Sequence, residues 1–415
     1  MPKIKQIAAL EVLDSRGNPT VKAVVTLDNG VIGAASVPSG ASTGTYEALE
    51  LRDNDTRYDG LGVLKACANI DKQIAKKLAG FGALDQKSID AALIELDGTE
   101  NKSNLGANAM LAVSLASARA AAKSENLPLY KYLAKIYAFK NPKKIPTAFF
   151  NIINGGAHAD SGLSVQEFQI IPEKFKNFSE KLRTASEISH KLKTLLANAG
   201  YPIGVGDEGG FAPKLDSHSD AFEYISRAIE ETGCSGKVSL GIDAAASSFF
   251  DENEESYTLK PENTSLEADR LISLYQEWTK KYNIISLEDG LAEDDFENWK
   301  KLNEKMGESN LIIGDDLLVT NPDRLKKALS FSAVNAAIVK PNQIGTLSET
   351  MEFIKICQKN KIKTIVSHRS GETEDSFIAD LAVAAGTQFV KFGAPCRGER
   401  TAKYNRLLEI EKEIQ

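Results

Sequence analysis

Six short apolar runs in the second part of the chain each end in an ionisable residue. These residues follow one another 23 to 45 positions apart, about one strand and one helix per step, and they are Asp243, Glu288, Asp315, Lys340, His368 and Lys391. In a closed barrel of parallel strands, the carboxyl ends of all strands open on one face, and the active sites of such barrels lie there. Any one of the six could be a solvated loop residue, but six in succession argue against that. The sequence therefore predicts that they converge on one catalytic face.

Three of these residues, Asp243, Glu288 and Asp315, are carboxylates from successive runs. At about 4 Å and an effective dielectric near 20, each like-charged pair costs roughly 4 kcal/mol, so the cluster requires a cation or shared protons. A structural network would instead need basic neighbours, and the adjacent Asp289 and Asp316 add further negative charge. Oxygen ligands in a chain with only four histidines and no C-x-x-C favour Mg²⁺ over zinc.

Lys340 is the candidate base of this face. The predicted cation and Lys391 both lie near it, and neighbouring positive charge lowers the pKa of a lysine. A neutral amine can accept a proton. We therefore expect Lys340 to have a lowered pKa and to abstract a proton from the substrate.

A glycine-rich segment, GVGDEGGFAP at 204–213, carries Glu208. Its glycines allow the backbone to approach a ligand closely. The segment matches G-x-G-x-x-G, but Asp207 and Glu208 would face a pyrophosphate and no helix opens after it, so a dinucleotide site is excluded. A P-loop is excluded as well, because residues 40–44 lack the following Lys-Ser or Lys-Thr.

The four histidines fall into two groups by their surroundings. His158 and His368 lie in polar segments that contain glycine and are predicted site residues, whereas His190 and His218 are predicted to be structural or exposed. Arg369 and Ser370 follow His368 directly. A guanidinium fork beside a hydroxyl suits a phosphate or carboxylate, and the alternative is a surface ion pair.

The elements that must position these residues divide the chain into two predicted domains, residues 1–138 and 139–415. In the first, alternating apolar positions on both sides of Asp28-Asn29-Gly30 predict a β-hairpin over 21–37, and residues 107–123, dense in alanine and leucine, predict a helix. The boundary lies at FKNPKKIP, 139–146, which interrupts the periodicity. The 277 residues that follow approach the roughly 250 of an α/β barrel. The predicted fold is a TIM-type (β/α)8-like barrel with a smaller N-terminal α+β domain.

Composition narrows the class of protein. Lys plus Arg is 50 and Asp plus Glu is 57, which gives a net charge of −7, so a general nucleic-acid or anionic-membrane surface is not expected. We expect no membrane span and no secretory signal, and hence a cytoplasmic protein. The four cysteines lie far apart, which indicates packing residues and not a disulfide or zinc framework.

Ordered motifs along almost the whole chain resemble those of the enolase family. They are LDSRGNPT at 13–20, VPSGASTG at 37–44, VGDEGGFAP at 205–213, GDDLLVTNP at 314–322, NQIGTL at 342–347 and SHRSGETED at 367–375. The resemblance implies a barrel whose early strands depart from simple βα repetition, and a homo-oligomer, either a dimer or an octamer. It also implies a glycolytic and gluconeogenic hydro-lyase that converts 2-phosphoglycerate reversibly to phosphoenolpyruvate.

The resemblance also implies a role for each matching residue. Asp243, Glu288 and Asp315 match the Mg²⁺ ligands of the family, and Ser42 matches a residue that helps to hold a second Mg²⁺. Lys340 matches the base and Glu208 the general acid. The positions that match substrate contacts are His158, Gln166, Glu167, His368, Arg369, Ser370 and Lys391.

Departures from the family pattern lie beside the site. Phe392 stands where many relatives have Thr, Cys396 occupies a variable position, and Pro341 removes one backbone donor. Two alternatives remain open: another superfamily dehydratase acting on a sugar acid, or a catalytically silent surface-binding relative. Display outside the cell is also implied by bacterial relatives, although no segment of the sequence encodes export.

Overall fold

Three antiparallel strands packed on a buried alanine-rich helix form the core of the first domain. The computed structural model describes residues 1–41, 44–140 and 144–415. The strands are β1 (Ile4–Leu13), β2 (Pro19–Leu27) and β3 (Ile32–Ser36), with β2 in the centre. The predicted hairpin is confirmed as the β2–β3 pair, and Gly30 adopts the positive φ that its turn requires.

The helices of this domain follow the sheet in the chain. They are α1 (Leu64–Asn69), which continues through a π-helical turn (Ile70–Ile74) into α2 (Ala75–Leu78), α3 (Gln86–Asp97), α4 (Ala107–Ser124) and α5 (Leu129–Ile136). The predicted helix over 107–123 is confirmed as α4. Fifteen of its 18 residues are buried, because the helix packs on β2 and β3 with small alanine side chains that allow close approach.

Gly33 of β3 touches the backbone of α4 and carries a stability prediction. A Cβ at this position would lie 2.2 Å from Ala116 O and 2.4 Å from Ala120 N, so Gly33→Ala must push a strand and a helix apart. We expect the variant to lose about 1–3 kcal/mol of unfolding free energy, measured by chemical denaturation. Gly204→Ala is the matched control, since no atom lies within 4 Å of its added Cβ. Equal stability of the two variants would contradict this packing.

Eight strands of the second domain close into a barrel. In chain order its strands and those inserted between them are β4 (Thr147–Asn154), β5 (Glu167–Ile171), β6 (Ser239–Asp243), β7 (Phe250–Asp251), β8 (Ser256–Leu259), β9 (Thr264–Leu266), β10 (Ile284–Glu288), β11 (Leu311–Gly314), β12 (Ala336–Val339), β13 (Lys363–Ser367) and β14 (Phe389–Lys391). The barrel order is β4, β5, β6, β10, β11, β12, β13 and β14, and β14 pairs with β4. The three inserted strands, β7 to β9, form a small separate sheet. The closed barrel predicted from the sequence is confirmed.

The early strands depart from the parallel pattern. β5 runs antiparallel to both of its neighbours, β4 and β6. The six apolar runs of the sequence are parallel strands, as predicted, and the departure of the early strands implied by the family resemblance is confirmed at β5. The reversal has a functional consequence, because it brings the first residue of β5, Glu167, to the face where the parallel strands end. There Glu167 is in register with Asp243.

The helices of the second domain surround the barrel. They are α6 (Phe178–Asn198), α7 (His218–Glu231), α8 (Ala268–Tyr282), α9 (Phe296–Met306), α10 (Pro322–Phe331), α11 (Pro341–Ile344), α12 (Leu347–Lys359), α13 (Phe377–Ala385) and α14 (Gly398–Ile414). Asn321 caps α10, with Pro322 at its first position. Thr346 caps α12: its Oγ1 accepts a hydrogen bond from Glu349 N and donates one to Glu349 Oε2. No helix among the described residues is long and apolar enough to cross a membrane.

The first domain lies against the barrel face that carries the strand ends. Ser39 forms an isolated bridge with Gly371, and Ala41 N donates a 2.7 Å hydrogen bond to Ser370 Oγ. Arg119 of α4 forms a partly buried ion pair with Asp375, with 2.6 Å between Nη2 and Oδ1. The segment after β3 therefore covers part of the barrel mouth. The predicted boundary between residues 138 and 139 lies between the end of α5 and the start of β4.

Candidate active site

The strand ends surround a polar cavity at the barrel mouth. Five of the six strand-end residues line it, and the sixth, Glu288, contacts Lys391 behind the lining. The lining consists of His158, Gln166, Glu167, Glu208, Asp243, Ala245, Asp289, Asp315, Asp316, Lys340, Ser367, His368, Arg369, Ser370 and Lys391. The structure thus brings together the sequence-predicted site residues, apart from Ser42, which lies outside the described residues.

Lys391 occupies the centre of the predicted carboxylate cluster. Its Nζ lies 3.0 Å from Glu167, 3.2 Å from Asp243 and 2.7 Å from Glu288. Burial lowers the pKa of Lys391, but the surrounding carboxylates outweigh burial and raise it well above its usual value. A basic neighbour therefore balances part of this negative charge, which the spacing of the sequence runs did not reveal.

Lys340 forms an ion pair with Asp315. The lysine Nζ contacts Asp315 Oδ2, and Gln343 Nε2 donates a 3.0 Å hydrogen bond to the other oxygen. Burial lowers the pKa of Lys340, but Asp315 offsets this, and the net pKa is raised. The expectation of a lowered lysine pKa is therefore wrong for this structure, because an anion contacts the amine directly.

Glu208 lies between two imidazoles. Asn151 Nδ2 donates a 2.9 Å hydrogen bond to Glu208 Oε2, while His158 Nδ1 and His368 Nε2 lie 3.5 Å and 3.3 Å from the carboxylate oxygens. Burial raises the pKa of Glu208, but the imidazoles and Lys391 hold it well below its usual range. Glu208 is therefore ionised at neutral pH.

Glu167 has the opposite protonation behaviour. Burial, together with the nearby Glu208 carboxylate, raises the pKa of Glu167 to about 8. Ligand atoms of Glu167, Glu208 and His158 all lie within 4.8 Å of one another. The two neighbouring carboxyl groups therefore have pKa values shifted in opposite directions, with that of Glu167 raised and that of Glu208 lowered.

A second acidic group also lines the cavity. Oxygens of Asp289, Asp315 and Asp316 lie within 4.8 Å of one another, a spacing that the trio of Asp243, Glu288 and Asp315 does not show. Lys391 contacts two members of that trio, Asp243 and Glu288. Asp289 accepts hydrogen bonds from the backbone N–H groups of Asp315 and Asp316, at 2.9 and 2.7 Å. The sequence did indicate this group, because an aspartate directly follows each of two predicted ligands: Asp289 follows Glu288, and Asp316 follows Asp315.

These carboxylates fit a divalent cation. Burial and like charge raise the pKa of Asp316 to about 7 and raise those of Glu288 and Asp289 well above their usual values. Among the described residues, Glu288 Oε2 is buried and has no hydrogen-bond partner. Clustered, underneutralised carboxylate oxygens are the donors that hard divalent cations bind.

The residues after β13 are buried and partnered. Arg369 forms a two-point ion pair with Glu47, at 2.9 and 3.0 Å, and lines the cavity. Arg369 does form an ion pair, but the pair is not at the surface as the alternative supposed, since the side chains of Arg369 and Glu47 are both buried. The loop after β3 supplies Glu47, and nothing in the sequence pattern singled it out.

The structure also shows the contacts of Gln166, of the buried His218, and of Phe392, which departs from the family pattern. Gln166 N donates to Asp243 O at 3.0 Å. His218 is fully buried, and its Nε2 accepts from Val165 N at 3.2 Å, so its predicted structural role is confirmed. Phe392 packs on Tyr404.

Cys396 and Pro341, the other two departures from the family pattern, also have defined positions in the structure. Cys396 Sγ donates to Gly209 O at 3.4 Å, and Pro341 opens α11. Besides Glu47, sequence reasoning missed Asn151 and Arg400, two polar residues that contact the site. Neither ends an apolar run or lies in a motif, so no local signal could have identified them.

Comparison with known proteins gives a consistent result over the whole chain. Residues 4–133 match the family described as "Enolase, N-terminal domain", and residues 142–415 match "Enolase, C-terminal TIM barrel domain". An enolase of Nitratiruptor sp. is 53% identical over 416 residues, covering 100% of this chain and 97% of the relative. Enolases of Elusimicrobium minutum and Campylobacter jejuni are 51% and 52% identical, covering 100% and 99% of this chain and 97% of each relative.

Proposed function

The chain belongs to the enolase family, and on that premise we propose that it catalyses the reversible dehydration of 2-phosphoglycerate to phosphoenolpyruvate. The observation that carries the proposal is the polar cavity that unites Lys340, the neighbouring carboxylates of Glu167 and Glu208, and a cluster of buried aspartates. Removing the proton beside a carboxylate adds charge to an anion, so the site must supply positive charge and a base together.

Asp243, Glu288 and Asp315 would hold Mg²⁺, and Ser42 would contribute to a second Mg²⁺. When bound, the metal supplies positive charge that offsets the charge developing on the substrate carboxylate, as is general in the enolase superfamily. Lys391 contributes fixed positive charge at the same place, since it is buried among three carboxylates. The chain's own part is to hold these charges in fixed positions before the substrate arrives.

Lys340 acts as the base that takes the C2 proton. It needs to be neutral for this step, and Asp315 is the group that keeps it protonated in the present arrangement. Glu208 acts as the general acid that assists departure of the C3 hydroxide. It has to carry a proton for this step, whereas the facing imidazoles and Lys391 keep it ionised in the present arrangement. Glu167 lines the cavity beside it and contributes to substrate binding.

The remaining polar residues bind and orient the substrate. His158, Gln166 and His368 line the cavity beside Glu208, while Arg369 and Ser370 line its side nearest the first domain. A guanidinium fork and a hydroxyl suit the phosphate oxygens. The family relationship further supports a homodimer or octamer and a cytoplasmic location.

An absorbance assay for phosphoenolpyruvate formation, with and without chelator, tests this function. We expect turnover of 2-phosphoglycerate with added Mg²⁺ and its loss in excess EDTA, because charge development at the carboxylate then lacks its metal. Restoring Mg²⁺ in excess over the EDTA is the control for damage to the protein. Preference for unphosphorylated acids, or equal activity in EDTA, would contradict the proposal.

A further inference from the structure

We propose that Arg400 is a positioning residue for this reaction: it fixes His368 as the neutral imidazole whose single proton lies on Nε2, directed at Glu208 and the cavity. The role of His368 and Glu208 in the chemistry rests on the proposed function. The arrangement of the Arg400, His368 and Glu208 side chains is independent of that function.

Arg400 is enclosed at the start of α14 and joins two loops of the site. Its side chain is 0% exposed. Nη1 lies 2.7 Å from His368 Nδ1 and 2.6 Å from Arg369 O. Nη2 donates to Asp207 O at 2.9 Å and to Ser370 O at 2.5 Å. One guanidinium therefore ties the loop that carries Glu208 to the segment that carries three predicted substrate contacts.

The donor character of arginine determines the tautomer of His368. A guanidinium has no acceptor and is not deprotonated in proteins, so Arg400 Nη1 must donate and His368 Nδ1 must accept. A neutral imidazole then carries its proton on Nε2. That atom is buried, lies 3.3 Å from Glu208 Oε1, and has no aligned hydrogen-bond partner among the described atoms. Its N–H is therefore available to Glu208 and to a substrate oxygen.

The charges around His368 keep it neutral. The ionisable groups that face it are Glu208 on the glycine-rich loop, Lys391 on β14 and Arg400 on α14. Burial, with the two cations, lowers the pKa of His368 to about 3 against the opposing effect of Glu208. A doubly protonated ring would place an N–H of His368 against an N–H of Arg400. The geometry and the electrostatics therefore both favour a neutral His368.

The local backbone is built around this contact. Gly393 has a φ of +88°, and a Cβ there would lie 2.9 Å from Arg400 Cδ and 3.0 Å from His368 Cε1. Lysine could not replace Arg400, because a single ammonium cannot reach the imidazole and three carbonyls of two loops with the fixed fork of a guanidinium.

The first experiment measures the tautomer in the unaltered protein. Long-range ¹H–¹⁵N correlation spectra of the full chain labelled with ¹⁵N-histidine distinguish a protonated Nε2 from a protonated Nδ1. The chain has only four histidines, and the signal lost in His368→Asn assigns the ring. We expect the Nε2-protonated form, unchanged from pH 8 to pH 5. A proton on Nδ1, or a cationic ring at pH 7, would overturn the proposal. This measurement needs no substrate, so it stands apart from any failure of the proposed function.

The second experiment compares the pH dependence of kcat/KM for Arg400→Met with that of the unaltered enzyme. We expect kcat to fall by about 10²-fold, as for misplaced catalytic groups. The ratio of variant to unaltered kcat/KM should also fall further as pH drops below about 6.5, the ordinary pKa of histidine, because the ring can then take a second proton. The ratio cancels ionisation of the substrate.

Arg406→Met is the matched control for the second experiment. Arg406 lies on the same helix and makes a two-point ion pair with Asp380, at 2.9 Å for each bond, away from the cavity. The ratio of kcat/KM for Arg406→Met to that of the unaltered enzyme should not vary with pH. A pH-independent ratio for Arg400→Met would overturn the proposal, and if that variant does not fold, the tautomer of the unaltered protein decides.

Discussion

We expect Lys340→Ala to abolish exchange of the C2 hydrogen of 2-phosphoglycerate with deuterated water. Exchange requires only that the base remove and return the C2 proton, so it reports on Lys340 separately from departure of the hydroxide. A general base contributes about 10²- to 10⁴-fold, and we expect a loss of kcat in that range. Deuterium content of recovered 2-phosphoglycerate, measured by mass spectrometry, gives the exchange rate.

Lys363→Ala is the matched control for this lysine. Lys363 is an exposed residue at the opposite end of the barrel, where β13 begins, so its loss leaves the cavity intact. Normal exchange in Lys363→Ala with none in Lys340→Ala identifies the base. Retained exchange in Lys340→Ala would mean that another group removes the proton.

We expect Asp315→Asn to weaken Mg²⁺ binding severely. The carboxylate of Asp315 belongs both to the predicted ligand trio and to the acidic group that the structure brings within 4.8 Å, so its charge is needed in either arrangement. Even residues that only support metal ligands change affinity by about 10- to 100-fold, and we expect a loss of at least about 100-fold for a direct ligand. Isothermal titration calorimetry with Mg²⁺ alone measures the dissociation constant without any dependence on turnover.

An exposed aspartate provides the comparison for Mg²⁺ binding. Asp323 lies in the first turn of α10 and pairs only with Lys326 among the described ion pairs, so Asp323→Asn removes the same charge at the surface. Its Mg²⁺ affinity should equal that of the unaltered protein. Affinity of Asp315→Asn as high as that of Asp323→Asn would remove Asp315 from the metal site.

Most barrel strands were predictable from local sequence. The apolar runs at 284–287, 336–339 and 363–366 coincide with β10, β12 and β13 to within one residue. A strand buried on both faces needs a continuous apolar run, and a polar residue appears where the strand leaves the core. This physical requirement is local, so the strand ends and the residues that follow them could be recognised without a structure.

β5 was not predictable in this way. It reads Glu-Phe-Gln-Ile-Ile, and its polar residues at the first and third positions obscure the apolar run. Both polar side chains are buried in the site, where Gln169 Nε2 donates to Glu167 at 2.9 Å. Glu167 therefore entered the site only through the family resemblance, and the antiparallel direction of β5 that brings it there became visible only in the barrel.

The amino-acid sequence by itself determined which chemical groups this protein brings to its site, the barrel that carries them and the family to which the motifs belong. Those properties depend on burial patterns and motifs within short stretches of chain. Only the tertiary structure decided which charges meet: Lys391 pairs with Glu167 across 224 residues, Lys340 pairs with Asp315, and Arg400 faces His368. Ion pairing and protonation depend on distances of a few ångströms and on burial, and neither exists until the barrel has closed.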